Sequence, residues 1–476
     1  MGINRRDVGN RRCHDVGPMT ATASKPQPGQ SDDLVALAHS ILDQAETAEQ
    51  VEVLVSRATS TTVKVYEGHV ESLTSADSSG AGIRVIRDGR LGFAHCGSLD
   101  PNVLLETLRE ARDNLEFGEP DEFNGLAVPD GVAVVAQDSW SDSVVEFPVE
   151  KKIALALELE RRVLAADSRI AGIRSTAYGD AWGESVILST AGIEAVDRGA
   201  SCSISTQPLS RVGEETQTGF GYDSGRVPEL LDLDHATAEA VDRATRLLGA
   251  VKPPSARMTI LLEPRLAISL MGIVSSMLSG DSVIKGRSPF GERLNEQIAS
   301  PLISLTDDPT RSESIAAEEV DGEGLACRSN LLISDGVLQG FLQDSYSGRR
   351  SGLASTGSAV RGTRSLPGVG SQLLVMQPGT RSFDELVSSI DLGLYVNSFS
   401  GMHSGVNPIS GDFSVGADGL MIRNGSLAEP VRELTLASTL QRLLLDISEV
   451  GGDFEWLRSG DGACSLVIQD VSLSGA

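Results

Sequence analysis

The sequence predicts an α+β protein: a three-segment chain with mixed, largely antiparallel sheets and flanking helices, its C-terminal part β-rich. Three observations predict it. Some stretches carry apolar residues at helical spacing and others alternate, with no regular βαβ rhythm. Tight turns recur between apolar strand residues in "VIRDGRL", "LISDGVL" and "MIRNGSL", where Asp-Gly or Asn-Gly supplies the positive φ angles of a two-residue hairpin. A length of 476 residues exceeds what one core ordinarily serves. A shared turn solution explains the three hairpins more simply than ancient duplication does.

The elements follow in order. Residues 1–32 read as a disordered tail, basic and polar, without the apolar run of a secretory signal. Met1 and Met19 are both open as translation starts. In segment 33–130, "DLVALAHSILDQAETA" puts Leu34, Leu37, Ala38, Ile41 and Leu42 at helical spacing. "VEVLVSR" and "TTVKVYEG" alternate as two strands, and "AGIRVIRDGRLGFAHCG" is a hairpin turning at Asp88-Gly89. "DPNVLLETLREARDNL" is a helix with Pro101 near its first turn. Segment 145–250 holds the helix "VEKKIALALELERRVLAAD", then "SVILSTAGIEAVDRGASCSIST" as strands joined at Ala191-Gly192, then a helix in "VPELLDLDHATAEAVDRATRLLGA". "VKPPSAR" reads as a linker, and segment 257–476 opens with the strand "MTILLEP".

Composition excludes some functions. A net charge of -26 repels phosphate backbones and anionic bilayers, so neither nucleic acid nor membrane is expected as a direct partner. The longest apolar runs are interrupted or too short to cross a bilayer. Five cysteines lie scattered with no C-x-x-C, the usage of a cytoplasmic protein.

Chemistry is narrowed the same way. No phosphate loop or Gly-x-Ser-x-Gly elbow occurs, "GMHSG" having Ser404 one place late. A serine triad using His95, His235 or His403 stays open, since only the fold would pair its members. The six histidines are His14, His39, His69, His95, His235 and His403, no two within a few residues. A helical two-His zinc site is therefore excluded. "GVNPISGDFSVGADG", Gly405 to Gly419, is the densest run of turn formers. It has no Lys, and Asp412 and Asp418 would repel an anion, so it does not cradle phosphate. Two readings stay open for it. Gly405 and Gly411 let a peptide backbone approach, with His403, Asn407, Asp412 and Ser414 lining the cleft; or Asn407 and Asp412 simply cap turns.

"GMHSGVNPISGDFSVGADGLMIRNGSLAEPVRELTLASTLQRLLLDI" resembles the C-terminal signature of the TldD/PmbA family, with its Gly-Val-Asn-Pro-x-x-Gly-Asp-Tyr/Phe-Ser core, Asn-Gly hairpin and Pro-Val-x-Glu. "DGEGLACRSNLLISDGVLQGFLQDSYSGRRSGLASTG" and "SSGAGIRVIRDGRLGFAHCGSLD" resemble two further family segments, and coverage runs from about residue 33 to the end. The resemblance implies one of two kinds of subunit. TldD-type chains carry His-Glu-x-x-x-His and a late Cys around a catalytic zinc and cleave peptides; PmbA-type chains, also called TldE, lack these ligands and pair with TldD. Matching "MLSGD" to the family puts Gly272 and Ser276 at the two His positions and Ile273 at the Glu, with Cys464 near the place of the third ligand. The chain thus resembles the PmbA/TldE subunit. That resemblance implies no catalytic or metal residue in this chain, zinc in a TldD-type partner, and a heterodimer that handles unfolded or modified peptides. A homodimeric peptide-binding regulator and a stand-alone hydrolase with a non-standard site are the alternatives.

Overall fold

The computed structural model describes residues 31–475, so the expectations for the tail and for the translation start lie outside the described residues. Helix α1 spans Asp32–Leu42 and buries Leu34, Ala38 and Ile41, the face its spacing predicts. Helix α2, Pro101–Asp113, starts with Pro at its first turn, where a missing N–H costs nothing. The Asp100 carboxylate accepts from the Asn102 and Val103 N–H groups and caps it. Replacing Asp100 by Ala is expected to cost about 1 kcal/mol, read as a lower urea midpoint at unchanged slope.

Strand β1 spans Gln50–Tyr66, so the two short strands expected there are one. It pairs along its whole length with β2, His69–Arg87. Asp88 (φ 53°) and Gly89 (φ 74°) then turn the chain into β3, Arg90–Cys96, as the Asp-Gly signal predicts. Four more strands follow: β4 Ile170–Ser189, β5 Glu194–Val212, β6 Glu215–Thr218 and β7 Gly221–Gly225. All seven form one sheet in the order β3-β2-β1-β4-β5-β6, with β7 also on β5. Strands of the first two segments therefore share a sheet, joined where β1 lies antiparallel to β4 from Glu52↔Ser189 to Val65↔Thr176.

Helices cover one face of this sheet. α1 and α2 pack over Val53, Val55, Ile83 and Val85, while helices Val149–Ala166 and Leu233–Thr245 cover Val63, Val65, Tyr178 and Ile204. The second helix comes close because β7 begins with glycine: a methyl at Gly221 would overlap the Ala236 carbonyl oxygen. On the opposite face, Leu54, Ile187, Ile193 and Ala195 meet Leu325 of the third segment. Beside that contact lies a buried ion network. Glu52 binds Arg84 at 2.8 Å and Arg361 at 2.5 Å, and Glu323 reaches Arg84 at 3.4 Å. Asp321, two residues before Glu323, accepts from the N–H groups of Glu323, Leu325 and Ala359 and so shapes this loop.

The third segment is β-rich. One of its two six-stranded sheets, the one with the longer strands, contains β8, Ala256–Leu262, and the strands Leu392–Ser400, Asp412–Arg423 and Ser426–Thr439. β8 runs parallel to Leu392–Ser400, and the other pairings are antiparallel. The glycine-rich run is only partly a loop. From Asp412 onward it is a strand, because Phe413, Val415 and Ala417 alternate into the core with polar or small residues between them.

Candidate functional site

Helix Pro264–Met277 follows β8 and buries Leu266, Ala267, Leu270, Met271, Val274 and Met277 in the third segment's core. Arg265, Ser269, Gly272, Ile273 and Ser276 are left along its less buried face. Arg265, Ile268 and Ser269 line a cavity of about 520 Å³ that is closed on the other side by Phe220, Tyr222 and Arg243 of the second segment. Gly272 and Ser276 continue that face one and two turns further along the helix.

The geometry of these positions decides their chemistry. Apart from its chain neighbours and the backbone of its own helix, nothing lies within 4 Å of where a Cβ on Gly272 would stand, so space is open beside it. Ile273 is a hydrocarbon packed partly against the core, and the Ser276 hydroxyl donates to the Ile273 carbonyl at 2.6 Å. This trio does not fit a zinc ion, which takes imidazole, thiolate or carboxylate donors. Cys464 is fully buried, and burial pushes its thiol up to about 12, so it stands protonated. Among the described residues, no three His, Cys, Asp or Glu side chains are grouped so as to hold a metal ion.

The residues nominated from the glycine-rich run lie elsewhere. His403 is exposed on the single helical turn Met402–Gly405, and Ser414 is exposed on its strand. Asn407 accepts from the Ile409 N–H at 2.9 Å, and Asp412 accepts from the Ser410 hydroxyl at 2.7 Å. These are turn contacts within the run. Its glycines sit in close contacts: a methyl at Gly405 would overlap the Ser414 carbonyl oxygen, and one at Gly411 the Gln441 side chain. The run does reach the cavity, through Asp418, whose carboxylate accepts from Asn397 Nδ2 at 3.0 Å and Ser398 Oγ at 2.9 Å.

Sequence reasoning missed the rest of the lining. Arg243 pairs with Glu239 at 2.8 Å, and Arg265 with Glu263 at 2.7 Å, while the Tyr395 hydroxyl donates to Glu263 at 3.1 Å. The rings of Phe220 and Tyr222 stack with centroids 5.8 Å apart, and the Arg458 guanidinium lies 5.7 Å over Tyr222. No linear motif joins these residues, since they come from two segments and meet only in the fold.

An α+β chain with a three-part layout and a cleft walled by a helix of its third part is a defined class of protein. Family models described as PmbA/TldA metallopeptidase domain 1, central domain and C-terminal domain match residues 51–115, 142–248 and 255–475. The chain belongs to the PmbA/TldD family. It is 27% identical to Metalloprotease PmbA of Escherichia coli O157:H7, over 90% of this chain and 93% of that protein. It is 28% identical to the Metalloprotease TldD homolog of Haemophilus influenzae, over 82% of this chain and 83% of that one. Its fold matches the crystal structure of TldE from Thermococcus kodakarensis with a TM-score of 0.80 and 23% identity, covering 93% of this chain and 99% of that one. Identity to PmbA and to TldD is nearly equal, so the subtype turns on individual residues. No helix among the described residues is long and apolar enough to cross a membrane.

Proposed function

We propose that this chain is a zinc-free, PmbA/TldE-type subunit of a cytoplasmic peptidase complex. It pairs with a TldD-type subunit that holds the zinc, and it shapes the cleft through which unfolded or modified peptides reach that metal. One observation carries the reading: Gly272, Ile273 and Ser276 stand on an accessible helix face beside a cavity, with open space where a ligand side chain would project and no donor to fill it. A metallopeptidase needs an ion to polarise the carbonyl and generate hydroxide, and a carboxylate or imidazole to move its proton. Neither ion ligand nor base is supplied at these positions.

The test is purification of the tagged chain from its own cells. A partner bearing His-Glu-x-x-x-His is expected to co-purify, and zinc and cleavage of unfolded peptides are expected only in the mixture. Zinc-dependent cleavage by the solitary chain would sink the proposal.

A further inference from the structure

We infer that the cavity beside Tyr222 captures the free α-carboxylate of a peptide on Arg458, an assignment that rests on the peptide-handling reading above. Three arginines line this cavity, Arg243, Arg265 and Arg458. Arg243 and Arg265 are each bound to a glutamate, and the carboxylate of Asp418, also on the lining, is taken up by Asn397 and Ser398, which leaves Arg458 as the cation open to a ligand. Arg458, which is exposed, forms no ion pair among the described residues. Its backbone N–H donates to the Tyr222 hydroxyl at 2.8 Å and its guanidinium lies over the Tyr222 ring, so the side chain is held while its donors stay available. A guanidinium presents two parallel N–H groups that match a carboxylate, and stacking on an aromatic face leaves that edge free.

The surroundings fit a peptide backbone. Arg458 and Ser459 also line a second cavity of about 370 Å³, so the two spaces meet at this arginine. The floor of the second is made of small residues in register across β1, β4 and β5. Thr62 lies opposite Gly179 and Gly179 opposite Ser203, with Ala181 opposite Ser201 beside them. This surface is on the face away from the helices, because the neighbouring positions Val63, Tyr178 and Cys202 point into the helix-covered core. An extended chain can lie across such a floor with its last residue at Arg458 and its last side chain against Phe220.

The experiment compares two probes: N-terminally fluorescein-labelled Ala-Ser-Gly-Ala-Leu-Phe with a free C-terminal carboxylate, and the same peptide as its C-terminal amide. Anisotropy titrations use the full chain as it purifies, with any partner it brings, in EDTA to prevent cleavage. The parent is expected to bind the acid about tenfold or more tighter than the amide, the scale of a lost charged hydrogen-bond pair. Arg458→Gln, whose fold is checked by its thermal melt, is expected to bind both forms equally, at the level of the amide. Equal binding of acid and amide by the parent, or a preference for the acid kept in R458Q, overturns the carboxylate assignment while leaving the peptide reading standing. Failure of the parent to bind either probe overturns both.

Discussion

Replacing Glu52 by Gln is expected to lower the unfolding free energy by about 3–5 kcal/mol, measured by urea denaturation, because it leaves buried arginines without their counter-charge. Glu52 is 1% exposed, and the side chains of Arg84 and Arg361 are 6% and 2% exposed. Arg361 already has its Nε and Nη2 without hydrogen-bond partners, so nothing nearby can take over from the lost carboxylate. Glu323 is the other anion of the group, and of the two arginines it reaches only Arg84, at 3.4 Å, its other oxygen being taken by the Ser345 N–H. The network joins β1 and β2 to the third segment, so its loss loosens the sheet from the part of the chain that carries the cavity. The exposed pair Arg423–Glu429 provides the control: Glu429→Gln is expected to leave the urea midpoint essentially where it was.

Asp307→Asn is expected to stabilise the protein in mildly alkaline solution and to do nothing in acid. Asp307 is fully buried, and burial, reinforced by the charges of Asp461 and Asp308, pushes its carboxyl up to about 7. Its Oδ1 accepts from the Gln372 and Leu373 N–H groups at 2.8 and 2.9 Å, whereas Oδ2 has no partner and is the natural seat of the proton. The native state thus keeps a proton that the unfolded chain releases near pH 4. The stability contributed by this group is fully present below the unfolded value and is lost as pH rises through about 7. Asn keeps the acceptor and supplies a neutral group in place of the carboxyl that must otherwise ionise. At about pH 8 the variant should exceed the parent by on the order of 2–4 kcal/mol, and near pH 4 the two should unfold alike. Unfolding free energies at the two pH values check this; a variant less stable than the parent at the higher pH would refute it.

The elements legible in the sequence were those with a local cause. The three Asp-Gly or Asn-Gly pairs of the predicted hairpins, flanked by apolar strand residues, adopt left-handed geometry: Asp88 and Gly89, then Asp335 (φ 48°) and Gly336 (φ 79°), then Asn424 (φ 50°) and Gly425 (φ 75°). A two-residue turn is decided by its own backbone, so its signal survives in the chain. Pro101 and Asp100 marked the start of α2 for the same reason. The outer halves of β1, β2 and β4 were less legible. "HVESLTSADSSG" and "STAYGDAWGES" are rich in Gly, Ala, Ser and Asp, which have little strand preference, yet they pair in β2 and β4. Their pairing comes from neighbouring strands rather than from an apolar alternation, because much of one face is not packed against the core.

The candidate site divides along the same line. By itself the sequence determined the side-chain chemistry at Gly272, Ile273 and Ser276 and the wide separation of its histidines, since the atoms a residue can offer are covalent facts. Only the tertiary structure decided that Asp418 rather than Asn407 reaches the cavity, that Gly405 and Gly411 serve close packing, and that Phe220, Arg243 and Arg458 share one cleft. Those are matters of proximity, and proximity between residues hundreds of positions apart is set by how sheets and helices bury their apolar faces.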